Sequence, residues 1–301
     1  MDTRRRARAA GAVVLAVVAL ALAIGFSGGR TGADSGGRTE VVASFFPLAD
    51  AAAHVGGRHV VVRNLTPPGT EPHDLELSTR SVDEIDRTDL AVVLGDDFQP
   101  AIEAAARRRR GATLVALDVA GGHLRADDPH VWLDPARMSE IVDAVASRLA
   151  RVDPEHARTY RTRADRYNAV LQTLEREYAD GLAGCSRRLL VTSHDAFGYL
   201  ADAFDLDQRS VSGLSPDAEP DARKVAELAD LARNKAVTTV FSETLVSPRV
   251  ARTVAREAGG LRVATLNPLE SLSAGELRAG ADYVSVMRAN LRALRTALGC
   301  T

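Results

Sequence analysis

Between Asp153 and Gly184, apolar or aromatic residues recur at Ala157, Tyr160, Ala164, Tyr167, Leu171, Leu174 and Tyr178, in alternating steps of three and four. That rhythm is one face of a single α-helix. Asp153 is suited to its N-cap and Pro154 to its first turn, and Gly181 and Gly184 mark its end. At 1.5 Å per residue such a helix runs for roughly 40 Å. A helix longer than a small domain is wide can serve as a beam joining two of them, so the chain is expected to form two lobes on one stiff helix. A beam resists hinge bending, and ligand binding is expected to move the lobes little.

On both sides of the beam, short aliphatic runs alternate with helical stretches. Before it, Val41–Ser44, Val60–Asn64, Leu90–Leu94 and Thr113–Leu117 read as strands, with helices near Leu48–Val55, Val82–Thr88 and Pro100–Arg109. After it, the strands are Arg188–Thr192, Gln208–Val211, Thr238–Ser242 and Arg262–Leu266, with helices near Ala196–Phe204, Ala222–Asn234, Pro248–Ala258 and Glu276–Leu298. Alternation of this kind gives an α/β fold, here two lobes each with a four-stranded parallel sheet flanked by helices. The length of 301 residues fits two domains. The expected division is 41–152 for the first lobe, 153–183 for the linking helix and 184–301 for the second lobe. Ligands of such sheets bind at the carboxyl ends of the strands.

The chain opens on Arg4, Arg5, Arg6 and Arg8, followed by an uninterrupted apolar run from Ala9 to Phe26. This is an export signal, either cleaved near Ala21-Leu-Ala23 or retained as a membrane anchor, since about 18 residues can span a bilayer. No Cys follows the run, which excludes lipid attachment through a cysteine there. Residues 27–40, rich in Gly, Ser and Thr, read as a flexible tether. Residues 1–23 hold four Arg and one Asp, so without them the net charge is three units more negative than the −2 of the whole chain. Nothing in that balance suggests nucleic acid. Export places Cys185 and Cys300 in an oxidising compartment, where a bridge between them would pin the C-terminal helix. The four arginines 107–110 close a helix, where cations are favoured by the dipole and by solvation.

Three of the seven histidines sit in marked loops beyond strands. His130 lies in Asp128-Pro-His-Val-Trp-Leu-Asp-Pro, where two prolines fix φ and two carboxylates can take up backbone N–H groups, giving a stiff corner. His73 closes Gly69-Thr-Glu-Pro-His-Asp, and His194 stands in Thr192-Ser-His-Asp-Ala-Phe-Gly-Tyr. Three neutral imidazoles, with Asp74 and Asp195 available to orient the rings, make an ordinary zinc-type shell. His54, His59 and His156 read as surface or core residues, and His123 as an accessory ligand at most.

Together with Val240-Phe-Ser-Glu and Asn267-Pro-Leu-Glu-Ser-Leu, these motifs resemble the substrate-binding proteins of zinc and manganese ABC importers, over essentially all of the chain after residue 40. The resemblance implies two lobes, a rigid linking helix and a metal bound in the cleft by His73, His130 and His194. The family's fourth position is usually an Asp or is left to water; Glu270 aligns with that Asp, ahead of Asn267, a poorer donor, and of Glu243, which is expected to orient the shell or brace the loop. It implies a monomer that captures an ion in the periplasm or on the outer face of the cytoplasmic membrane and delivers it to an ABC permease. Three nitrogens and at most one carboxylate favour Zn²⁺, whereas Mn²⁺ prefers more oxygens. A second reading is a secreted zinc hydrolase with Glu71 or Glu243 as base, against which stands the missing His-Glu-x-x-His helix. A third is a metal-dependent surface adhesin, which the same fold would accommodate.

Overall fold

The structure, a computed structural model, describes residues 37–73, 75–120, 125, 128–214 and 221–301. The expected export segment at 1–26, most of the tether, Asp74 and His123 lie outside the described residues. Among the described residues no helix is long and apolar enough to cross a membrane.

The first sheet is made of β1 (Thr39–Ala43), β2 (Val60–Asn64), β3 (Leu90–Val93) and β4 (Ala112–Val115), parallel and in the order β2-β1-β3-β4. The second repeats that order as β6-β5-β7-β8, with β5 (Leu189–Thr192), β6 (Asp207–Ser210), β7 (Thr239–Ser242) and β8 (Arg262–Thr265). All four residues of β3 and all four of β7 are buried, because helices cover both faces of a parallel sheet. In each sheet the strand order reverses between its first and third strands, which opens a crevice at their carboxyl ends.

The helices are α1 (Phe46–Gly56), α2 (Thr79–Arg87), α3 (Pro100–Arg108), α4 (Pro135–Val152), α5 (Ala157–Ala183), α6 (Gly198–Ala203), α7 (Ala222–Asn234), α8 (Arg249–Glu257), α9 (Ala274–Arg278) and α10 (Tyr283–Leu298). Helix α5 is the beam, and it buries the stripe Tyr160, Ala164, Tyr167, Leu171, Leu174, Tyr178 and Leu182. Its first half is tied to α1, with the Tyr167 hydroxyl donating to Asp50 Oδ2 at 2.7 Å. Its second half is tied to α10, where the Tyr178 hydroxyl donates to Met287 O at 2.6 Å and Arg288 grips Glu177 at 2.7 and 2.8 Å. One apolar core therefore runs from Val41 and Leu90 along α5 to Leu190 and Tyr283, so the two sheets share an interior. Smaller clusters back each sheet, around Ile85 and Ile102 in one case and Leu228 and Val254 in the other.

Three local expectations change. The α-helix begins at Ala157 after a 3-10 turn at Pro154–His156, and Asp153 does not cap it. Instead Asp153 Oδ2 accepts from Tyr160, His156 and Thr39, because the turn carries its carboxylate beneath these donors. An additional helix, α4, follows the Trp132 corner, with the Asp134 carboxylate accepting from Ala136 N at 2.9 Å as N-cap and Pro135 at N1. The single helix expected over 276–298 is two, broken at Gly280 (φ +81°) and restarted by a capping box between Asp282 and Ser285. Cys185 and Cys300 are joined, fastening the end of α10 to the end of the beam.

Candidate metal centre

Each loop that carries a candidate ligand leaves the carboxyl end of a strand. After β2, the chain reaches His73 through a turn whose Gly69 (φ +77°) sends its N–H to Leu272 O at 2.9 Å and Ser271 Oγ at 3.1 Å. This turn is thus bonded directly to the loop that follows β8. After β4, the chain returns to Asp128 and Pro129, and His130 sits at the start of a 3-10 turn, Val131–Leu133. After β5, His194 is held by its own carbonyl, which accepts from Thr192 Oγ1 at 2.7 Å and Gln208 Nε2 at 3.1 Å.

Trp132 connects the two halves of this arrangement. Fully buried against Phe45 and Phe98, it donates its indole N–H to Pro268 O at 2.8 Å, and its own carbonyl accepts from the Tyr283 hydroxyl at 2.6 Å. The Glu270 loop is braced further by Asn267, whose Oδ1 accepts from Leu269 N at 2.8 Å and whose backbone is clamped by the Asn290 amide. Leu269 is held at φ +62°, an uncommon backbone for a branched side chain, and the next side chain is aimed inward. Gly198, at the start of α6, faces Asp128 so closely that an added Cβ would lie 2.5 Å from Asp128 Oδ2.

The outcome is that His73, His130, His194 and Glu270 meet, with one donor atom from each lying within 4.8 Å of all the others. Glu270 Oε1 is the centre of the group, 3.3 Å from His73 Nε2, 3.2 Å from His130 Nε2 and 3.3 Å from His194 Nε2. His130, His194 and Glu270 are essentially sealed from solvent, whereas the His73 side chain is 14% exposed. The far side of two rings is fixed by carboxylates: Asp128 Oδ1 accepts from His130 Nδ1 at 2.8 Å, and Glu243 lies against His194 Nδ1. The sequence offers three carboxylates for this duty, Asp74 and Asp195 beside the rings and Glu243 farther along the chain. Asp74 lies outside the described residues, and the place beside His194 belongs to Glu243. Glu243 also accepts from His194 N at 3.0 Å.

Charge follows from this packing. Burial by itself pulls the His130 imidazole down, but hydrogen bonds to Asp128 and Glu270 outweigh it and leave the ring above its ordinary value. His194 is likewise drawn down by burial, then pushed well above it by Glu243 and Glu270. Burial raises the Glu270 carboxyl, yet the three imidazoles more than offset this and hold it well below the usual carboxylate range. An ionised oxygen has two lone pairs at most to offer in this direction, and three ring nitrogens compete for them. Neither ring nitrogen of His194 makes a well-aligned hydrogen bond. Four converging donors, one anionic, with an imidazole left over are the makings of a cation cage.

Known proteins share this architecture. The family described as ZnuA, zinc-uptake complex component A periplasmic, matches residues 41–297. The zinc-binding protein AdcA of Streptococcus pyogenes serotype M6 is 34% identical over 288 residues, covering 86% of this chain but only 56% of its own length. The chain thus spans little more than half of that relative. The high-affinity zinc uptake system protein ZnuA of Bacillus subtilis is 30% identical over 307 residues, 95% of this chain and 96% of its own. Among solved structures, the Zn(II)-bound ZnuA-like domain of Streptococcus pneumoniae AdcA superimposes with a TM-score of 0.75 at 34% identity, covering 87% of this chain and 99% of that one. On the match over residues 41–297, the chain belongs to the ZnuA family of periplasmic zinc-uptake components.

Proposed function

We propose that the protein captures Zn²⁺ outside the cytoplasmic membrane in the cleft between its two lobes and hands it to the permease of an ABC importer. The observation that carries this reading is the convergence of three imidazole Nε2 atoms on one buried carboxylate oxygen, at 3.2 to 3.3 Å. Donors about 2.0–2.2 Å from a tetrahedral zinc are about 3.3–3.6 Å apart, so Glu270 already stands at close to the right spacing from each ring. Three nitrogens and one oxygen suit Zn²⁺ better than Mn²⁺. The names of the relatives, zinc-binding and zinc uptake, agree with that choice.

The four ligands are His73, His130, His194 and Glu270. Asp128 and Glu243 keep two of the rings in the tautomer that offers Nε2, as carboxylates behind metal-bound histidines do. With the shell complete, no position remains for an activated water, and the protein carries its ion rather than using it. Residues 41–152 and 184–301 supply one wall each, on the beam of 153–183. Residues 1–26 direct export and the protein works as a monomer at the membrane surface.

Native mass spectrometry with elemental analysis of the exported protein tests this. One zinc per chain is expected, lost in His194→Ala. A chain that takes up no zinc from a zinc buffer overturns the proposal.

A further inference from the structure

A cavity of about 460 Å³ opens at the pole of the first lobe where strands begin, opposite the metal centre. Arg58, Arg158, Arg163 and Arg166 line it, together with His59 and Thr162. Positions 158, 162, 163 and 166 share one face of α5, away from its buried stripe, and Arg58 and His59 come from the turn that leads into β2. None of these four arginines forms an ion pair among the described residues. In the same molecule Arg63, Arg80, Arg125, Arg209, Arg223, Arg233 and Arg288 each sit on a carboxylate. Arg163 is held in place by its bond from Nε to Val55 O at 3.1 Å, and the His59 ring packs on that of His156 at 3.9 Å. Partial burial, then His156 and Arg58, keep the His59 imidazole below its ordinary value, as a positive surrounding should.

Four guanidiniums gathered without a carboxylate partner, three of them exposed, form a positive patch in a chain of net charge −2, and an anion complements it. Their flat forks of N–H groups fit the oxygens of a phosphate better than a single-point cation does. The cavity also adjoins the place where the chain enters the fold: Thr39, the first residue of β1, pairs with Val60, next to His59. The preceding sequence contains the apolar run from Ala9 to Phe26.

We propose that this cavity binds a phosphate group, within reach of anionic phospholipid headgroups when the N-terminal run holds the chain at a membrane. The lipid source rests on the membrane-anchor reading of residues 1–26; the phosphate chemistry does not.

The test uses the full chain with neutral phosphatidylcholine vesicles, with vesicles containing phosphatidylglycerol, and with neutral vesicles plus inorganic phosphate. Arginines are labelled with phenylglyoxal and mapped by mass spectrometry. Labelling of Arg158 and Arg166 is expected to fall about threefold or more with anionic lipid, phosphate or both, the effective arm naming the source. Arg161, exposed on the same helix but off the cavity, should change little. Equal labelling under all three conditions, or equal protection of Arg161, overturns the proposal. Sedimentation with neutral vesicles reads the anchor separately: a chain left in the supernatant overturns the anchor and the lipid source, while the phosphate arm still decides the cavity.

Discussion

A single buried oxygen, Glu270 Oε1, is asked to satisfy three ring nitrogens, and a divalent cation would relieve that competition. The residues behind the rings matter nearly as much as the ligands. Asp128→Asn keeps the size of the side chain but weakens its acceptance of His130 Nδ1–H; zinc affinity is expected to fall about 10–100-fold in a competition titration. Protons compete for the same sites. The carboxylates hold His130 and His194 above the ordinary imidazole value of 6.5, so in the zinc-free protein these rings keep protons that zinc must displace. Affinity is therefore expected to fall as pH drops, and the fall starts above pH 6.5. An affinity unchanged between pH 8 and about 5 would contradict it. The zinc-free fold follows the opposite sign. The raised rings contribute stability that is full below 6.5 and lost as pH rises through their raised values, which melts recorded in chelator would detect.

At the scale of elements, the bridge between Cys185 and Cys300 closes a loop with a separation of 115 residues. In the chain-entropy account a link of that span contributes about 4–5 kcal/mol, so Cys185→Ser is expected to lower the unfolding free energy by roughly that amount in denaturant titrations. Much of the element plan was legible beforehand, because strands buried on both faces read as continuous Val, Leu and Ala runs and α5 keeps its stripe for about six turns. The three histidine loops stood out because each lies beyond a strand-like run and has an Asp as a neighbour or close by. Helix α4 escaped notice although Met138, Ile141, Val142, Val145 and Leu149 have helical spacing, since Asp134-Pro135 also suits a turn. That Glu243 orients the shell was legible, but not that it does so at His194. Neighbouring Asp195 is close in sequence, but β5 and β7 are adjacent in the sheet, and that register delivers Glu243 to the ring. Tertiary pairing of this sort leaves no mark in a local window.

For the molecule as a whole, the decisive fact is that the two sheets share one core along α5. Opening the cleft widely would expose that core, together with the indole bond of Trp132 to Pro268. Removing zinc with a chelator is therefore expected to leave the radius of gyration in solution scattering nearly unchanged. The same treatment should lower the melting temperature, because zinc at 100 times its dissociation constant contributes about 2.7 kcal/mol.

His73 alone among the ligands touches solvent, and it rides on the turn at Gly69 rather than on a helix or strand. In a body that does not gape, the proposed ion would have one small door, and that side chain would be its leaf. Loading and unloading would then be matters of a local swing, and the proposed permease, by prying at this turn, would free the cargo without dismantling the carrier.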